Sequence, residues 1–127
     1  MSIRSIVLAL PLVAVVPLLA ACSGDEPEAT ASQSASNVEI VATEYAFSPE
    51  NVTVRAGEVT FTVRNDGQEE HEFEIFHGDR VIDEVEGLIP GLERDLTVTL
   101  DPGEYRIVCM LNDHLERGME ATLTVTA

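Results

Sequence analysis

Apolar and polar residues alternate with a period of two through most of this chain, and Gly, Pro, Asn and Asp repeatedly break the alternation. Such alternation turns one face of an extended segment toward a core and the other toward water, whereas a helix needs apolar residues three and four apart. Val52 and Val54 share a face, as do Val59, Phe61 and Val63, and then Leu96, Val98 and Leu100. His71, Phe73 and Ile75 line one side of a run whose other side carries Glu72 and Glu74. Residues 38–42, the run Tyr105, Ile107, Cys109, and the run Leu123, Val125 read the same way, and residues 81–85 do so weakly. Ala56-Gly57-Glu58, Asn65-Asp66-Gly67 and Asp101-Pro102-Gly103 read as turns, and residues 88–92 as a connection. About seven or eight short strands, roughly ten residues apart, predict an all-β Greek-key sandwich or barrel. The last strand needs a partner, which residues 38–42 or 51–55 can supply.

The first part of the chain does not share this pattern. Residues 1–21 read as a signal segment, with Arg4 at its start and an apolar run from Ile6 to Leu19 that contains Pro11 and Pro17. The run is too short and too interrupted for a good spanning helix. It closes on Leu19-Ala20-Ala21-Cys22, which resembles the lipobox of bacterial lipoproteins. The resemblance implies cleavage ahead of Cys22, diacylglycerol on its sulfur, and anchoring to the extracytoplasmic face of a cell membrane. Residues 22–37 are small, polar and partly acidic, a composition that forms a flexible linker rather than a core. Such a linker spans about 20 Å on average. Residues 38–127 are then the single folded domain, of a size that supports one modest core.

Seven arginines, no lysines and 23 acidic residues give a formal charge of −16. Nucleic acid and anionic head groups are poor partners for such a surface. Charge of this sign keeps an exported domain soluble, and it also steers a basic partner. The two cysteines are Cys22 and Cys109. An acylated Cys22 cannot form a disulfide, so Cys109 is a lone thiol outside the cytoplasm, where free thiols are a liability. A buried structural cysteine and a metal-bound thiolate are the two readings.

The chemistry-bearing stretch is Cys109-x4-His114-x4-Met119, between two strand-like runs. Thiol, imidazole and thioether suit copper better than calcium or magnesium. The ten-residue step is too long for a tight hairpin and long enough to fold three donors toward one centre. His71, at the start of a strand and on its apolar face, is the best fourth donor. His77 reads as a surface or loop histidine, and Met110, of opposite parity to Cys109, as packing.

Four segments in order resemble the cupredoxins, the type 1 blue copper proteins: Glu44-Tyr45-Ala46-Phe47-Ser48-Pro49, the segment from Asn65 through His71 to Phe73, Pro102-Gly103-Glu104-Tyr105 leading to Cys109, and Cys109-x4-His114-x4-Met119 with Gly118 before the methionine. The resemblance implies one copper ion held by His71, Cys109 and His114, with Met119 as a weak axial ligand. It implies a monomeric carrier of single electrons, cycling between Cu(I) and Cu(II), that meets a redox protein partner at the exposed edge of His114 between Leu111 and Leu115. Two departures stand out. Glu72 follows the first histidine where relatives often carry a bond-donating asparagine, so support for Cys109 falls to backbone groups. Asp113 places charge beside His114, which implies a lowered reduction potential. Copper capture or delivery without a redox partner is the alternative function, and a structural module of a larger membrane complex is a third. No nucleophile–base pair or open metal site argues for an enzyme.

Overall fold

The computed structural model describes residues 36–127, and the expectations for residues 1–35, including Cys22, lie outside them. Nine strands follow in order: β1 Ser36–Thr43, β2 Ala46–Ser48, β3 Asn51–Arg55, β4 Gly57–Asn65, β5 His71–His77, β6 Arg80–Leu88, β7 Glu93–Leu100, β8 Gly103–Val108 and β9 Glu120–Thr126. They form a four-stranded sheet, β2-β1-β4-β7, and a five-stranded sheet, β3-β9-β8-β5-β6. The pairs β1–β4 and β3–β9 are parallel, and the others are antiparallel. The all-β sandwich expected from the alternation is therefore present, and β3 rather than β1 is the partner of the last strand.

The alternating residues pack as their period requires. Val59, Phe61 and Val63 of β4 are fully buried, as are Phe73 and Ile75 of β5, and Thr60, Thr62 and Arg64 face outward. Phe73 is the hinge of the core: its ring meets Phe47 edge-on at 5.9 Å and Phe61 at 5.6 Å. Phe47 comes from β2 and Phe61 from β4, so this one side chain joins the two sheets next to His71.

One local reading changes, and one strand is new. Residues 56–58 are not a turn, because β4 begins at Gly57 and only Ala56 separates it from β3. The chain steps there from one sheet to the other, and Gly57 takes a φ of 121°, a region closed to side chains with a Cβ. β2 spans only three residues, too few to show a period.

Truncating Phe73 to Ala should cost about 3–5 kcal/mol. Urea unfolding checks this, and a loss below about 1 kcal/mol would show that the two sheets are joined elsewhere.

Candidate metal centre

Strand pairing brings the first two donors together. His71 heads β5, and Cys109 immediately follows β8, its antiparallel neighbour. The register Glu74↔Val108 and Ile75↔Ile107 continues toward that end of the sheet. The Glu72 amide donates to Cys109 Sγ at 3.3 Å. A backbone group thus supplies the support that a carboxylate side chain cannot.

The step from Cys109 to Met119 closes on itself. The Cys109 amide donates to the Met119 carbonyl at 3.2 Å, and the Met119 amide donates to the His114 carbonyl at 3.0 Å. Successive turns, from His114 to Leu111 and from Gly118 to Leu115, wind the segment tightly, with Asn112 at a φ of 50°. Asparagine tolerates that conformation better than most residues. All four expected ligands are buried: His71, Cys109 and Met119 at 0 % exposure and His114 at 2 %.

The two histidines face each other through Nδ1 at 3.2 Å, and Cys109 Sγ lies 3.4 Å from His114 Nδ1. One donor atom from each of the three falls within 4.8 Å of the others, and no other group of His, Cys, Asp or Glu among the described residues converges in this way. Two imidazole nitrogens bound to one first-row ion at about 2.0 Å stand roughly 3.2 Å apart, so the observed spacing fits a shared cation. The outer nitrogens agree. His114 Nε2 lies 3.1 Å from Glu69 Oε2, and His71 Nε2 lies 3.8 Å from Glu44 Oε1 without a hydrogen-bond partner. A carboxylate only accepts, so the hydrogen belongs on His114 Nε2 and the lone pair on Nδ1, facing the other donors.

Electrostatics favours a cation here. Burial pushes the Cys109 thiol up, against the pull of the Glu72 and Leu111 amides. Burial, then the neighbouring His114, holds His71 down. Both shifts favour the neutral forms of Cys109 and His71 in the ion-free pocket. Around it stand carboxylates. The amides of Gln68 and Glu69 both donate to Glu44 and hold its carboxyl below the ordinary range. A Cβ at Gly67 would strike the Glu44 carboxylate, so a larger residue there would have to displace it.

Three expectations need correction. The edge of His114 is not exposed, because Glu69 bonds its Nε2 and the Tyr45 ring meets it edge-on at 5.3 Å. Tyr45 takes a φ of 62°, unusual for a bulky residue, and the Arg117 guanidinium lies 4.6 Å over its ring. Asp113 is not a free charge beside His114, because Arg117 Nε donates to it at 2.8 Å. Met110 does not pack, being 49 % exposed, whereas Leu111 packs against the core. His77 lies exposed at the far end of β5, stacked on Tyr105 at 4.6 Å. Sequence reading missed Glu44 and Glu69 as neighbours of the histidines: Glu69 lies two residues before His71 but meets His114, and Glu44 is distant in sequence from every donor.

These features can be set against known proteins. The family model described as a cupredoxin-like domain matches residues 11–125. The chain belongs to that family. A reduced auracyanin from Roseiflexus castenholzii superposes with a TM-score of 0.69 at 23 % identity, covering 73 % of this chain and 98 % of that one. Auracyanin A of Chloroflexus aurantiacus, a blue copper protein, gives 0.63 at 21 % identity over 71 % and 98 %. The iron uptake system component EfeO of Escherichia coli K12 is 36 % identical over 74 residues, 58 % of this chain. This cupredoxin spans only 20 % of that relative's length.

On the outer face of β5, Glu74 lies opposite Glu84 of β6 and is 7 % exposed. Burial, reinforced by Glu72, Glu84 and Glu86, pushes its carboxyl up to about 7. The folded state therefore prefers neutral Glu74. That contribution is complete below the ordinary carboxyl range and is lost as pH rises through about 7. Glu74→Gln should be more stable than the parent at pH 8 by about 1–3 kcal/mol and nearly equal at pH 4. Denaturant titrations at both values check this, and equal stabilities at pH 8 would contradict it.

Proposed function

We propose that this cupredoxin is a membrane-anchored carrier of single electrons outside the cytoplasm. His71, Cys109 and His114, together with Met119, would hold its type 1 copper ion. The observation that carries the reading is the meeting of two Nδ1 atoms and one sulfur in a buried pocket, 3.2 and 3.4 Å apart. Two imidazoles and a thiolate are a compromise between the preferences of Cu(I) and Cu(II), and copper bound there supplies a one-electron couple. The protein does the rest. The Glu72 amide holds the sulfur, the Cys109–Met119 and Met119–His114 backbone bonds fix the loop, and burial excludes water. Donors that meet from several sides of a buried pocket favour a carrier over a catalyst.

The lipobox-like Leu19-Ala20-Ala21-Cys22 supports the anchored half of the reading, and the linker, read from the sequence as residues 22–37 but ending where β1 begins at Ser36, would tether the domain close to the membrane. The charge of −16 favours a redox protein partner with a basic face and disfavours nucleic acid. The domain acts as a monomer.

A second reading is favoured by the match to the iron uptake component of Escherichia coli. The same centre would take one electron from ferrous iron, leaving ferric iron and Cu(I), as part of iron import. Anaerobic addition of ferrous salt to the Cu(II) form separates the two readings: stoichiometric bleaching supports iron as the donor, and persistence of the colour supports a protein donor.

Reconstitution of the full chain with Cu(II) should give an intense visible thiolate-to-copper band and a type 1 paramagnetic spectrum. Cys109→Ser should abolish both. A colourless protein that leaves Cys109 reactive to thiol reagents would contradict the assignment.

A further inference from the structure

We propose that Glu69 is the positioning residue for His114, and that its carboxylate biases the centre toward a divalent over a monovalent ion. The first half rests on geometry alone, and the second rests on the copper reading above.

Glu69 is held from several sides. Asn65 Nδ2 donates to its carbonyl oxygen at 2.7 Å, its amide donates to Glu44 Oε1 at 3.0 Å, and the Tyr45 hydroxyl donates to its Oε1 at 3.3 Å. Asn65 is itself fully buried and tied to the Leu88 carbonyl at 2.7 Å, so the loop before β5 is anchored to the end of β6. Only Oε2 remains, and it faces His114 Nε2 at 3.1 Å. A neutral imidazole otherwise divides between two tautomers, and the one with hydrogen on Nδ1 would aim it at the lone pair of His71 or at the Cys109 sulfur. Glu69 stabilises the other tautomer and keeps the Nδ1 lone pair available before any ion arrives. The two histidines are treated differently. Glu44 faces His71 Nε2 at 3.8 Å, beyond a hydrogen bond, because its Oε1 already accepts the amides of Gln68 and Glu69. One imidazole is clamped and the other is only faced.

Charge gives the second consequence. A dication gains twice what a monocation gains from the same carboxylate. Arg117, the nearest cation in this loop, is bonded to Asp113, so it offsets Asp113 more than Glu69. Glu69 is half exposed, which trims its field without removing it.

The full chain tests both halves. In the metal-free protein, long-range proton–nitrogen spectra should place the His114 hydrogen on Nε2. Glu69→Ala should produce a mixture of tautomers, and Glu69→Gln, whose amide oxygen still accepts, should restore the single form. The ratio of Cu(II) to Cu(I) affinity, read by competition with chelators for each ion, should fall about tenfold in both variants. That is a rise of about 59 mV in reduction potential for a one-electron couple. Both substitutions lie at a half-exposed position outside the core, and an unchanged β-sheet circular dichroism spectrum verifies the fold. An identical tautomer in parent and Glu69→Ala overturns the positioning role. Copper binding with an unchanged affinity ratio overturns the bias and leaves the copper reading intact. No copper binding by a chain whose tautomer still responds overturns the copper reading and the bias together, and the positioning role stands.

Discussion

The centre depends on the antiparallel pairing of β5 with β8. That pairing sets the start of one strand beside the end of the other, so His71 and Cys109 become neighbours although 37 residues separate Glu72 from the sulfur it supports. Everything else at this end is short-range once the pairing exists. The Cys109–Met119 backbone bond closes the loop, and the closed loop sets His114 against His71 Nδ1. Phe73 secures the same region from beneath by joining β5 to β2 and β4. The donor cluster and the join between the sheets are thus one packing problem.

Around neutral, buried donors the protein arranges carboxylates rather than cations. Glu44 and Glu69 sit behind the two imidazoles, and Glu72, Glu74 and Glu84 continue the negative surface along β5 and β6. Along the outer face of β5 the crowding is costly, as the raised Glu74 carboxyl shows, whereas behind the imidazoles Glu44 is stabilised by the Gln68 and Glu69 amides. Glu69 covers His114 with the help of Tyr45, so a polar cap rather than an exposed imidazole edge faces outward there.

Much of this was legible in the sequence because its causes are periodic or local. Alternation at Val59, Phe61 and Val63 located a core strand, and the parity of His71 with Phe73 and Ile75 put that histidine inside. Even the loop was readable, since its donors sit at even spacing between two strands. What escaped had causes distant in sequence. Three residues of β2 carry no period, and the step at Gly57 looks like a turn until the two sheets are known. The cover on His114 joins position 114 to positions 45 and 69, and the neutralising of Asp113 depends on which way the Arg117 side chain lies. No pattern along the chain reports such meetings.

The central claim is that one cysteine sulfur and two histidine nitrogens share one copper ion. X-ray absorption at the copper edge of the loaded full chain tests it most directly. The account predicts a first shell of one short copper–sulfur and two copper–nitrogen distances, with imidazole scattering beyond. A shell of nitrogen and oxygen alone, without short sulfur, would place the copper on the surrounding carboxylates and contradict the account.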